Sequence, residues 1–194
     1  FKNNKKLYVK KISNDLKEYY NKQNIVIAYI CCKILKLPQK IFLNVIKNFR
    51  GLPYRSNLIF KNKYLNIINN SKATNLNSTV NSIKCYENIF LILGGRAKEN
   101  NFEILLRYNN KINSVYIFGD SAKFIADKLS KFINVKISIN LDQVINQVFK
   151  DLEFNKYQST LLFAPGCSSY DQYENFLERG AHFTKLINKK IKGI

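Results

Sequence analysis

The chain has 194 residues, 46% of them hydrophobic, which suffices for one well-packed domain and part of another and excludes wholesale disorder. Its 32 Lys and Arg against 13 Asp and Glu leave a formal charge of +19, which taken alone points to nucleic acid or another polyanion. The lysines are spread among Asn and Ile residues and form no dense basic block, so a solvated basic surface is the simpler reading.

No apolar run approaches the roughly 18 residues that a bilayer span requires, and no secretory leader is visible, so no membrane span and a cytoplasmic location are expected. Cys31, Cys32, Cys85 and Cys167 show no paired metal-ligand spacing and there is one histidine. Reduced, mostly buried thiols are expected, with neither a zinc site nor a disulfide framework. The first residue is Phe1 and methionine is absent, which suggests a piece of a longer polypeptide.

In chain order, Phe1 to Tyr20 is basic and amphipathic, with a short strand expected at Leu7 to Ile12. Ile25, Ala28, Tyr29, Cys32 and Leu35 recur at helical spacing until Pro38, and Ile41, Phe42, Val45, Ile46 and Phe49 repeat the pattern, giving two helices joined at a proline. Phe49-Arg50-Gly51-Leu52-Pro53 then punctuates the chain, and a domain boundary is placed there, between 1–50 and 51–194. Leu58 to Phe60 and Tyr64 to Ile68 flank Lys61-Asn62-Lys63 as a hairpin.

Beyond the hairpin, short apolar runs alternate with helical segments. Ile89 to Leu93, Val115 to Phe118, Val135 to Ile139 and Thr160 to Ala164 are apolar without alternation, as strands buried on both faces are. Helices are expected at Leu76 onward, at Phe102 to Tyr108, at Ser121 to Phe132 with Ala122, Ile125, Leu129 and Phe132 inward, and after Asn140, which forms a capping box with Gln143. Such alternation implies an α/β fold with a doubly wound, mostly parallel sheet, in which ligands gather at the carboxyl ends of the strands.

Three loops follow predicted strands and carry unusual chemistry. Asn70-Ser71-Lys72-Ala73-Thr74-Asn75 opens a helix whose free N–H groups would seat an anion beside Lys72. Gly94-Gly95-Arg96-Ala97-Lys98 combines backbone freedom with a cation. Pro165-Gly166-Cys167-Ser168-Ser169-Tyr170 offers hydroxyls. Two lysines and a hydroxyl pair around one crevice describe a site for a small di-anion.

The same residues resemble a known family. Gly51-Leu52-Pro53-Tyr54-Arg55, Asn70 to Asn75, Leu93-Gly94-Gly95 with Lys98, and Pro165 to Tyr173 with Asn175-Phe176 and Glu178-Arg179-Gly180 resemble the C-terminal portion of the D-glutamate-adding Mur ligases of peptidoglycan synthesis. The likeness runs from Gly51 to the end in order and spacing and extends weakly back to Asn24. It implies a Rossmann-like amino-acid-binding domain preceded by the helical tail of a central ATP-binding domain, the sugar domain and most of the central domain lying elsewhere in the polypeptide. It also implies an ATP- and Mg2+-dependent acid–amino-acid ligase, cytoplasmic, whose substrates are D-glutamate and UDP-N-acetylmuramoyl-L-alanine. ATP phosphorylates the substrate carboxylate and the D-glutamate amine attacks the acyl phosphate.

By the same resemblance, Lys98 and Thr74 match positions at the α-carboxylate of D-glutamate, Ser169 and Phe176 positions at its side-chain carboxylate, and Lys72 and Tyr170 their neighbours. Arg55 matches an ATP phosphate contact, Asn24 an adenine contact, and Asn70 a nucleotide contact where an aspartate is usual. Gln23, Ile27 and Tyr54 are further departures, so the amino-acid side looks intact and the nucleotide side altered. The chain carries no phosphate-binding loop, so its catalytic residues are not named and the fragment alone is expected to be inactive. Two alternatives are a D-glutamate-binding relative without turnover and, on charge alone, a nucleic-acid-binding module. Asp171 and His182 are left outside the chemistry.

Overall fold

The structure is a computed structural model and describes residues 19–153 and 157–192, so the strand expected at Leu7 to Ile12 lies outside the described residues. The chain divides into two units, Phe1–Gly51 and Leu52–Ile194.

In the first unit Pro38, at φ −58°, caps the second of two helices, α1 (Tyr19–Ile34) and α2 (Gln39–Asn48). Ile25, Phe42 and Ile46 are buried between them, and the Tyr29 and Phe42 rings meet at 5.2 Å. An apolar groove of about 370 Å³ runs along the pair, past Asn24, Ala28, Leu37, Val45 and Phe49.

The second unit is an α/β fold on one six-stranded sheet in the order β1-β2-β6-β3-β4-β5. Its strands are β1 (Asn57–Lys61), β2 (Leu65–Asn69), β3 (Ile89–Gly94), β4 (Ile112–Phe118), β5 (Val135–Ile137) and β6 (Ser159–Gly166). The β1–β2 hairpin is antiparallel and every other pairing is parallel. Along β6, Leu161 and Phe163 enter one core while Leu162 and Ala164 enter the other, which explains why the central strands read as unbroken apolar runs.

One face of the sheet is covered by α3 (Leu76–Ile83), α4 (Ala122–Leu129) and a 3-10 segment (Phe102–Lys111) through Leu76, Val80, Phe102, Ile125 and Leu129. The other is covered by α5 (Leu141–Glu153) and α6 (Phe176–Ile191) through Val144, Val148, Phe183 and Ile187. The Phe163 and Phe183 rings stack at 4.4 Å and lock α6 onto the middle of the sheet.

Three local expectations are corrected. The segment from Phe102 is 3-10 throughout, kinked at Tyr108, because Phe102 and Leu105 bury three residues apart and it has no longer apolar stripe to extend. α4 ends at Leu129, leaving Phe132 66% exposed and outside the core. β5 ends at Ile137, and Ile139 lies in the turn before α5. That turn is capped reciprocally. The Gln143 N–H donates to Asn140 Oδ1 at 3.0 Å, and Gln143 Oε1 accepts from the N–H of Ile139, one residue earlier than in the usual box, also at 3.0 Å.

Candidate functional site

β2 is followed by a helix on one face of the sheet, β6 by a helix on the other, and β3 by the 3-10 segment on the first face again. Neighbouring strands whose successors leave in opposite directions open a crevice at their carboxyl ends. The three loops singled out by sequence all rise from this one edge.

Backbone contacts join the loops pairwise. Gly166 N–H donates to Ala73 O at 2.8 Å, linking the β6 turn to the β2 turn. Arg96 and Ser168 exchange N–H···O bonds, both 3.0 Å, and Ser168 Oγ donates to Arg96 O at 2.9 Å, linking the β3 and β6 turns. The β4 turn is held too. Asp171 Oδ2 accepts the Asp120 N–H at 3.1 Å, Ser121 N–H reaches Gly95 O at 3.1 Å, and Arg96 pairs with Asp120 at 3.0 Å. Gly95, at φ +121°, allows the β3 and β6 turns to approach closely, since a Cβ there would fall on the carbonyl oxygen of Ser168.

At the centre sits Arg179, which the sequence reading left without a role. Its side chain is 0% exposed. Nε donates to Ser71 Oγ at 3.1 Å, Nη1 to Gly94 O at 3.3 Å, and Nη2 to Ser71 O at 2.9 Å and Cys167 O at 3.1 Å. One guanidinium therefore bonds to all three loops. Burial pulls its pKa down to about 10, against the opposing pull of Cys167 and Asp171, and it stays cationic at neutral pH. The sequence signal was available, because Arg179 lies in helical phase with Phe183 and Ile187 on the buried stripe of α6.

The residues assigned to D-glutamate fall at this edge. Lys72 Nζ stands 4.0 Å from the centre of the Phe176 ring, at the start of α6, and Ser71 Oγ donates to Phe176 O at 2.9 Å. Thr74 is half-buried beside the Ala73 carbonyl that receives Gly166. Ser169 is buried, Tyr170 is 64% exposed, and Lys98 is exposed on the β3 turn.

The helix starts at this edge are partly capped by the protein itself. Asn75 Oδ1 accepts from Ser78 N–H at 2.9 Å, and the Glu99 carboxylate accepts from Leu76 N–H at 3.3 Å. At α6, Asn175 Oδ1 accepts from Leu177 and Glu178 N–H at 2.9 and 3.0 Å. The cationic and hydroxyl side chains of the loops add further donors for a ligand.

Two of the nucleotide-side residues lie at the same edge, Asn70 in the β2 turn itself and Arg55 beside Tyr54, whose carbonyl accepts from Lys72 N–H at 3.0 Å. Asn70 is buried and its amide donates to Ser82 Oγ at 2.6 Å, so it turns into the protein. Arg55 is exposed on the turn before β1, and Asn24 is exposed on α1 in the first unit. Tyr54 holds φ +57° and its ring packs on Gly180, where any Cβ would collide with it.

Among the cysteines only Cys167 is buried, its thiol pushed up to about 12 by burial, whereas Cys31 is exposed and Cys32 and Cys85 are part-buried. The expectation of mostly buried thiols fails because Cys31 falls on the outer side of α1. His182 bridges Tyr173 and Asp142, its Nδ1 2.9 Å from the phenol oxygen and its Nε2 3.4 Å from the carboxylate. Among the described residues no group of three or more His, Cys, Asp or Glu could hold a metal ion, and no helix is long and apolar enough to cross a membrane.

The sequence is similar to curated UDP-N-acetylmuramoylalanine–D-glutamate ligases. Identity is 38% over 185 residues to that of Prochlorococcus marinus (strain MIT 9312), covering 91% of this chain and 39% of the relative. It is 35% over 183 residues to that of Rickettsia felis, covering 94% and 41%, and 33% over 169 residues to that of the Wolbachia of Brugia malayi, covering 87% and 34%. The chain therefore spans about two fifths of the length of these relatives, in their C-terminal part. No protein-family model matches it. In fold it is similar to MurF from Acinetobacter baumannii (TM-score 0.65, 14% identity, 86% of this chain and 38% of that one). It is also similar to a pseudomurein peptide ligase type C from Methanothermus fervidus (TM-score 0.57, 15% identity, 89% and 36%).

Proposed function

We propose that this chain, which corresponds in sequence to the C-terminal portion of the D-glutamate-adding Mur ligases, supplies the amino-acid half of an ATP-dependent ligase. The complete protein would join D-glutamate to UDP-N-acetylmuramoyl-L-alanine in the cytoplasm, residues 51–194 forming the amino-acid domain and 1–50 the end of the nucleotide domain. What supports the reading is that the turns after β2, β3 and β6, which carry or adjoin Lys72, Thr74, Lys98, Ser169, Tyr170 and Phe176, rise from one edge of the sheet and are bonded together by Arg179.

D-Glutamate brings two carboxylates and one amine. Lys98 and Thr74 would hold the α-carboxylate, Ser169 and the Phe176 edge the side-chain carboxylate, with Lys72 and Tyr170 closing the pocket. Lysine suits the task because a compact ammonium neutralises a carboxylate and leaves the amine free to attack. The γ-phosphoryl group of ATP passes to the carboxylate of the UDP-sugar substrate with release of ADP. The amine of D-glutamate then attacks that carbonyl carbon, the C–O bond to phosphate breaks, and the amine proton leaves to solvent or a base. The protein's share in this chain is positioning and charge stabilisation. Arg55 and Asn24 would meet the nucleotide. Mg2+, which ligases of this kind use with ATP, would be held with the nucleotide mainly by the upstream part of the complete protein.

In the complete protein Lys98→Ala or Ser169→Ala should raise the KM for D-glutamate at least tenfold while the KM for ATP stays within about twofold, as loss of one charge-assisted contact implies. Unchanged kinetics would remove the site assignment. The inward turn of Asn70 supports a second reading, a relative that binds D-glutamate without turnover. ADP release dependent on D-glutamate would exclude it.

A further inference from the structure

We infer that Arg179 is a positioning residue: its guanidinium holds the turns after β2, β3 and β6 in the one arrangement that lets Lys72, Lys98 and Ser169 meet a single di-anionic ligand. This rests on the D-glutamate reading given above.

The placement is costly unless it does something. A 0% exposed cation stands where the phase of α6 calls for an apolar side chain, and among the described residues no carboxylate lies within ion-pair distance of it. Its four bonds go instead to neutral oxygens of the loops, at Ser71, Gly94 and Cys167. Those residues lie one, four and two positions before Lys72, Lys98 and Ser169. The pairwise links described above each join two turns, whereas Arg179 spans all three.

Its geometry is specific to arginine. A planar fork presents donors in three directions from fixed positions, while a lysine ammonium is a single point that cannot reach Ser71, Gly94 and Cys167 together. Removal of the fork leaves three inward carbonyls without their donor, and the turns relax toward water to recover one. The same helix start carries Phe176, whose ring lies against Lys72 and whose carbonyl accepts from Ser71, so relaxation at Ser71 moves the ligand residues directly.

The test compares Arg179→Lys, Arg179→Met and Ser71→Ala in the complete protein. For Arg179→Lys the expected result is a KM for D-glutamate at least tenfold higher, KM values for ATP and the UDP-sugar within twofold, and faster amide hydrogen exchange at Arg96, Gly166 and Ser168. A wild-type KM in Arg179→Lys alongside a raised one in Arg179→Met would assign the effect to charge and overturn the inference. So would a kcat that falls with the folded fraction at unchanged KM. If both arginine variants fail to fold, Ser71→Ala decides, since it removes only the Nε acceptor and the Phe176 link. A D-glutamate KM shifted threefold or more with thermal midpoint unchanged supports the inference, and no shift overturns it. Absence of any D-glutamate-dependent ADP release by the wild type would defeat the proposed reaction. The exchange rates at Arg96 and Ser168 would then decide the tethering by themselves, wild-type rates in Arg179→Lys refuting it.

Discussion

Gly95→Ala should destabilise the second unit by about 2–6 kcal/mol, from two separable causes. The residue sits at φ +121°, a backbone region that costs an L side chain roughly 1–3 kcal/mol. The new Cβ would also fall on the backbone oxygen of Ser168, with Arg179 Nη1 at 3.1 Å and Cys167 Cβ at 3.2 Å closing the other sides, so the β3 and β6 turns must part. Parting them breaks the reciprocal Arg96–Ser168 pair, at about 0.5–1.5 kcal/mol for each bond. Gly166→Ala serves as the control. Its φ of +70° is also left-handed, but a Cβ there meets nothing closer than Thr79 Oγ1 at 3.2 Å, and strain alone should cost about 1–2 kcal/mol. Urea denaturation followed by far-UV circular dichroism gives both values, and at roughly 2–4 °C per kcal/mol the Gly95 variant should melt about 10 °C lower. A loss below about 1 kcal/mol with an unchanged denaturant slope, or one equal to that of Gly166→Ala, would show that the turns are not held against each other as described.

Further outcomes follow from other parts of the structure. Asn175→Ala removes the acceptor of two N–H groups at the start of α6 and should cost about 1–2 kcal/mol by urea denaturation; an unmoved midpoint would refute the cap. Iodoacetamide at pH 8 should modify exposed Cys31 in the native protein and reach Cys167 only after denaturation, because burial holds that thiol protonated; equal labelling rates would contradict its environment. Burial raises the phenol pKa of Tyr116 and Tyr173 above its unfolded value of about 10. Their contribution to stability is therefore complete below pH 10 and declines as pH rises beyond it, where only the unfolded chain releases the proton. Absorbance at 295 nm should leave both un-ionised in the native protein at about pH 11, and full ionisation there without unfolding would contradict their burial. Lys128→Ala, which removes a surface pair with Glu103, should leave the urea midpoint essentially unmoved, and a clearly lower midpoint would show the pair to be more than superficial.

The strands were legible because a strand buried on both faces has no polar positions to confuse its pattern, as Ile89 to Leu93 shows. Helix α5 was legible from its cap at Asn140, and α3 from the polar turn Asn70 to Asn75 that opens it. Phe132 misled because it continues the period of α4 one turn past Leu129, where the chain has already turned toward β5 and no core lies beneath it. Arg179 was missed for the opposite reason. Its phase was inward, but local sequence assigns a charged side chain to the surface, and only the juxtaposition of three loops from β2, β3 and β6 supplies the acceptors that make its burial tolerable. Asn70 illustrates the same limit. Its position in the turn was readable, yet the direction of its amide depends on Ser82, twelve residues away on α3.

The position of β6 has a consequence for how the sheet is made. It is the last strand in sequence and pairs with β2 on one side and β3 on the other, Leu161 opposite both Ile67 and Phe90. Until residues 159–166 have left the ribosome, the hairpin β1–β2 and the ribbon β3–β4–β5 have no strand to join them, and each exposes an apolar edge. Among the strand pairings of the second unit these close the longest stretches of chain, so they are expected to form late. A ribosome stalled before Ser159 would hold two half-sheets prone to pairing with other chains, and emergence of β6 and then α6 would complete the sheet and the crevice together.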